Sequence, residues 1–158
     1  MHQQHELYLR KAFDIAYRAR KNGNHPFGAL LVDAEGRIVL EAENTVVTQR
    51  DCTGHAETNL MRMASARFDK QFLSKCILYT STEPCAMCAG AIYWGGVGTV
   101  VFGLKEKSLH ELTGDHSENP TLSLPCRQVF SRGSRDVTVI GPLLEEEAIK
   151  LHEGFWRE

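Results

Sequence analysis

The spacing of hydrophobic residues changes several times along the chain, and each change marks an element. Between residues 6 and 22, Leu9, Phe13, Ala16 and Tyr17 recur at helical spacing, with Arg10, Lys11, Asp14 and Arg18 between them. That pattern predicts a first amphipathic helix. Asn22-Gly23-Asn24 and then Pro26 stop it. Residues 27–32 are an apolar run of strand length, 33–36 carry turn residues, and 37–40 read as the returning strand of a hairpin. Residues 44–54 are polar and predict a loop. Helix formers fill 55–67, and 76–80 predict a buried strand. Residues 84–94 form an alanine-rich helical stretch with Pro84 in its first turn, where a missing N–H costs nothing. Gly95, Gly96 and Gly98 end that stretch. A strand is expected at 99–102, a short helix at 105–112, a loop at 113–125, a last strand at 137–140 and an amphipathic closing helix at 143–156. A loop as long as 113–125 in a compact domain tends to be functional. The order α-β-β-α-β-α-β-α-β-α predicts an α/β fold, a mixed sheet covered by helices on both faces, in a single domain spanning residues 1–158.

Composition narrows the class. With 158 residues, 42% apolar and 24% charged, the chain is long enough to bury a core without disulfide staples. A formal net charge of −2 supplies no global attraction to nucleic acid or to an anionic membrane. No apolar run is long enough to span a bilayer, and no basic segment followed by an apolar one opens the chain. Five cysteines, two of them in a C-x-x-C, suggest metal or redox chemistry before structural disulfides. A cytoplasmic location is expected from these features together.

The chemistry concentrates in two segments, His55-Ala56-Glu57 and Pro84-Cys85-Ala86-Met87-Cys88, each opening a predicted helix. Cys85 and Cys88 are three apart and share a helical face. The helix N-terminus favours their thiolate forms. His55 adds a nitrogen, and zinc suits such a mixed thiolate and imidazole set. Three protein ligands leave a fourth position for water, whose pKa zinc lowers to about 7. Glu57, two residues past His55, points elsewhere on the helix and is better placed to carry protons than to ligate.

H-A-E followed by P-C-x-x-C resembles the signature of the zinc-dependent cytidine deaminase superfamily, in which the glutamate is the acid/base and not a ligand. Pro26-Phe27-Gly28-Ala29, Asn44 and the run from Pro84 to Trp94 are similar to the branch containing bacterial guanine deaminases and tRNA adenosine deaminases. Within it, PFGA and AIYW lean toward guanine deaminase, while Val100-Val101-Phe102-Gly103 is common in the tRNA enzymes. The resemblance implies a three-layer α/β/α fold with a five-stranded mixed sheet, a bound Zn2+, a homodimer, and hydrolytic loss of ammonia from an amino-substituted ring. By position it also implies that Asn44 hydrogen-bonds the base, Phe27 packs on its ring, and the backbone N–H of Ala56 faces a substrate carbonyl. Asp115 stands next to where guanine deaminases carry an acidic side chain against the substrate amine. Thr53-Gly54-His55 departs from the more usual Thr-Ala-His, and the match weakens from about Ser117.

Three functions follow in order: a deaminase of a free purine-type base, guanine first; a tRNA adenosine deaminase using a basic surface around Arg127, Arg132 and Arg135; and a non-catalytic zinc-stabilised binding module. A structural zinc on Cys52, His55, Cys85 and Cys88, or a metal-free redox C-x-x-C, competes for the same residues. Cys76 reads as core and Cys126 as incidental. Tyr93 and Trp94 read as packing residues, as do Phe155 and Trp156, which have a pocket cap as their alternative. The other histidines read as surface.

Overall fold

The computed structural model describes residues 2–114, 116–120 and 122–156. Five strands form one mixed sheet in the order β2-β1-β3-β4-β5. The strands are β1 (Gly28–Val32), β2 (Ile38–Glu43), β3 (Ile77–Thr82), β4 (Thr99–Leu104) and β5 (Thr138–Ile140). β1 pairs antiparallel with both β2 and β3, and β3–β4 and β4–β5 are parallel. The two parallel steps need crossovers, and helices supply them.

Alternate residues of each strand face opposite sides, so the sheet divides the core in two. On one side Ala29, Leu31, Leu78, Val100 and Phe102 pack under α3 (Ala56–Arg67), α5 (Ala86–Gly95) and α7 (Cys126–Ser131). On the other, Leu30, Val32, Tyr79, Val101 and Leu104 pack against α1 (His2–Lys21), α6 (Glu106–Thr113) and α8 (Glu145–Lys150). This is the expected three-layer α/β/α arrangement. β1, β3 and β4 are buried almost throughout, which explains the apolar runs of β1 and β4 and the first half of β3, while Thr80, Ser81 and Thr82 of β3 are buried polar residues. Gly28 is required where α1 crosses β1, because a Cβ there would lie 2.5 Å from the backbone nitrogen of Ala16.

Several local expectations need correction. Tyr17 is not on the buried face of α1. It is 55% exposed, with the Lys21 ammonium 5.4 Å from its ring centroid. β2 runs three residues further than expected, through Glu43, because Glu43 and Ala42 pair with Gly28 and Ala29. The polar stretch after it holds a one-turn helix, α2 (Val46–Gln49), and a second short helix, α4 (Lys70–Ser74), follows α3. α4 is capped by Asp69, whose side chain accepts the N–H of Phe72. Pro84 lies before the N-cap Cys85 and outside α5. The closing helix is α8 alone, and turns follow it from Leu151. Trp94 is not packed but 75% exposed, whereas Tyr93 is half-buried. His25 and His152, expected at the surface, are buried. Cys76 is core as expected, with its thiol pushed up to about 11 by burial. Cys126 is also fully buried.

Candidate metal centre and cavity

His55 is the N-cap of α3 and Cys85 the N-cap of α5. An N-cap side chain ordinarily accepts a helix N–H. Neither does so here, and the two side chains turn toward each other instead. Nδ1 of His55 lies 3.5 Å from Sγ of Cys85 and 3.6 Å from Sγ of Cys88. The three ligand atoms all lie within 4.8 Å of one another. A tetrahedral ion with Zn–N about 2.0 Å and Zn–S about 2.3 Å has N···S edges of about 3.5 Å, so the set fits zinc. Cys52 is exposed and stands outside this cluster, which leaves the four-ligand structural site without its fourth member.

The three groups perturb one another's protonation. Cys85 is pulled down to about 4 by the Cys88 thiol and then by His55, against the cost of burial. Cys88 is pushed up by its hydrogen bond with Cys85 and by burial. His55 is raised by its hydrogen bond with Cys85. The group therefore holds protons that a cation would displace. Thr58, one turn into α3, places its hydroxyl 3.2 Å from Sγ of Cys88 and steadies that sulfur. Glu57 is buried, and burial followed by the charge of Cys85 pushes its carboxyl up to about 7.

A cavity of about 490 Å³ opens beside these groups. His55, Glu57 and Cys85 line it, with Phe27 and Asn44 on one wall and Glu83, Glu106 and Leu109 on another. Glu118, Asn119, Pro120 and Leu122 cover it, so the long loop does border the site. Asn44 closes a turn at the edge of the cavity. Its Oδ1 accepts the N–H of Val46 in a tight turn at 3.0 Å, and its side chain still faces the cavity. Phe27 is half-buried, its ring 5.4 Å from that of His152 and 6.2 Å from that of Trp156. Phe155 and Trp156 thus pack behind the cavity wall. Ala56 is fully buried in the first turn of α3 and is not among the residues that line the cavity. Asp115 lies outside the described residues.

The local sequence around His55 has its own logic. Asn59 Nδ2 donates to the carbonyls of Glu43 and Gly54 and to Oγ1 of Thr45, tying the loop to α3. A Cβ on Gly54 would come within 2.8 Å of that Thr45 oxygen, which accounts for glycine before the histidine.

Sequence reasoning missed four titratable residues of the wall: His25, Glu83, Glu106 and Glu118. Glu83 is buried between β3 and α5. Its Oε1 accepts the N–H of Glu106 at 3.0 Å and its Oε2 that of Cys126 at 3.2 Å, so one carboxylate holds the first turns of α6 and α7. Its position directly before Pro84-Cys85 was the available signal. Glu106 is pushed up to about 7, mainly by burial. His25 is held below its ordinary value, mainly by burial.

The sequence profile of the cytidine and deoxycytidylate deaminase zinc-binding region matches residues 2–104. The chain belongs to this family. It is a hydrolytic deaminase of the nucleobase or nucleotide class. A probable cytosine deaminase of Schizosaccharomyces pombe is 42% identical over 149 residues, covering 94% of this chain and 90% of that protein. The guanine deaminase of Bacillus subtilis is 40% identical over 114 residues, 72% of each chain. Among solved structures, one of a tRNA:A34 deaminase studied for A-to-I editing at the wobble position matches with a TM-score of 0.68 and 26% identity, covering 89% of this chain and 94% of that one. The family match ends at Leu104, the last residue of β4. It contains His55, Glu57, Cys85 and Cys88, whereas Glu106, Leu109, Glu118, Asn119, Pro120 and Leu122 lie beyond it. No described helix is long and apolar enough to cross a membrane.

Proposed function

We propose that this deaminase acts on a free amino-substituted nucleobase, with guanine converted to xanthine and ammonia as its first candidate. The observation that carries this is the lining of the cavity. It contains Glu57, Glu83, Glu106 and Glu118 and, among the described residues, no lysine or arginine. Such a wall repels phosphate and suits a neutral ring rich in N–H donors. Two of the three arginines considered for an RNA surface support the same reading. Arg135 donates to the carbonyls of Ile92, Tyr93 and Val97 at the end of α5, and Arg127 to those of Val139 and Gly141. Cytosine is the second reading, favoured by the similarity to the S. pombe protein along 94% of the chain.

In this reading His55, Cys85 and Cys88 hold zinc. When bound, zinc supplies the Lewis acidity that makes water a nucleophile near neutral pH. Glu57 takes the proton of the attacking water and delivers it to the departing amine. A carboxyl poised near 7 suits both halves of that transfer. The Asn44 amide and the Ala56 N–H orient the ring, and Phe27 packs on it. Asp115 remains the acid proposed for the substrate amine. The expected homodimer would cover the exposed Trp94 and the partly buried Ala91 beside it.

The test is ammonia release by the zinc-loaded protein from guanine, cytosine, adenine and their nucleosides, with an anticodon stem-loop RNA alongside. Turnover of a free base is the expected result, and turnover of the RNA alone would overturn it.

A further inference from the structure

His25 lies on the turn between α1 and β1 and is held from several sides. Its neighbour Asn24 is anchored to α2: Oδ1 accepts the N–H groups of Val47 and Thr48 at 3.1 and 3.0 Å. The His25 ring packs 5.1 Å from the ring of Trp156 and 6.0 Å from that of Phe155. The side chain is only 8% exposed and lines the cavity that Glu57 and His55 share. Nε2 is nevertheless buried with no hydrogen-bond partner among the described residues. The nearest carboxylate oxygen, Oε1 of Glu118, is 3.6 Å away, beyond hydrogen-bond length.

Buried side-chain nitrogens are almost always satisfied, and exceptions call for a ligand or water. This one is immobilised by aromatic packing, on a side chain that lines a ligand-sized cavity. The Glu118 carboxylate beside it favours the tautomer with the proton on Nε2. The pair therefore presents a donor next to an acceptor that do not close on each other.

We propose that His25 is a substrate-specificity residue: its Nε2–H donates to a carbonyl oxygen or ring nitrogen of the bound base, away from the amino-bearing carbon, while Glu118 accepts a neighbouring ring N–H. The ligand class is an amino-substituted base that carries an acceptor beside an N–H. This rests on the free-base function proposed above. Because the reacting carbon must sit at the metal ligands and Glu57, the His25 bond exists before and during reaction alike. Its loss raises KM more than it lowers kcat.

The experiment is steady-state ammonia release from guanine and from cytosine by the zinc-loaded wild type and three variants, with zinc content and melting temperature checked for each. His25→Phe keeps the ring packing and removes the donor. For whichever base the wild type turns over, its KM should rise about tenfold or more with kcat changed much less. His25→Gln, whose amide reaches the Nε2 position, should restore most of that loss, and His25→Asn, which reaches only the Nδ1 position, should not. If His25→Phe does not fold, the contrast between the last two variants decides. An unchanged KM in His25→Phe, or equal KM values for His25→Gln and His25→Asn, overturns the specificity role while leaving the deaminase reading intact. A wild type that releases ammonia from no free base overturns both.

Discussion

Replacing Glu83 by glutamine tests how the active-site wall is held. The native carboxylate accepts two backbone N–H groups, from Glu106 at 3.0 Å and Cys126 at 3.2 Å. Glutamine keeps one acceptor oxygen and presents an NH2 group to the other N–H. One charge-assisted hydrogen bond, about 1.5–3 kcal/mol, is lost, and the survivor becomes a neutral bond. Relief from burying a charge offsets part of this, so a net loss of about 2 kcal/mol is expected. For a chain of this size that lowers Tm by roughly 4–8 °C. The assays are thermal unfolding of the zinc-loaded protein and amide hydrogen exchange. The Glu106 and Cys126 amides should exchange faster in the variant, while the metal ligands on α3 and α5 keep their zinc. A variant that melts within about 1 °C of wild type, with unchanged exchange at both amides, would refute the idea that Glu83 fastens α6 and α7.

Glu57→Gln should retain one zinc per chain and lose about 10²- to 10⁴-fold in kcat, read by metal analysis and ammonia release together; normal turnover would remove Glu57 from the proton path. Cys52→Ser should leave zinc stoichiometry unchanged, whereas Cys85→Ser should lose the metal, and zinc loss from the first variant would restore the four-ligand site. His152 is buried and held down to about 4, so the unfolded chain takes up its proton first as pH falls from about 6.5. Its contribution to stability is therefore complete above pH 6.5 and is lost as pH falls toward 4, by at most about 3 kcal/mol. Measured as the difference in unfolding free energy between wild type and His152→Gln, that loss should follow this window; a difference that is flat with pH would contradict it.

Sheet and helix order were legible because most elements are long enough for their period to show. β1, β4 and the first half of β3 appear as apolar runs because both faces of the sheet are covered. α2, α4 and α7 escaped notice because four to six residues span too little of a helical face for periodicity to register. β2 and the closing helix were misjudged at their ends, where pairing with β1 and the turns after Lys150 decide the boundary. The candidate metal ligands stand out for a chemical reason. Two thiols three apart at a helix start, with a histidine opening another helix, have few other uses.

What the sequence determined alone was thus the order of the longer elements and the choice of candidate reacting groups, since both are written in short-range spacing. Tertiary structure decided the rest of the cavity. His25 comes from the turn after α1, Glu83 from the end of β3, Glu106 from the start of α6 and Glu118 from the covering loop. No local period links these positions, because the sheet crossovers bring them together from a stretch of 94 residues, 25 to 118. The same holds for Arg127 and Arg135, which read as a basic surface in sequence and are engaged with backbone carbonyls once α5 and β5 are in place. A side chain's charge is a property of its residue, but whether that charge meets solvent, a carbonyl or a substrate depends on which distant segments fold against it.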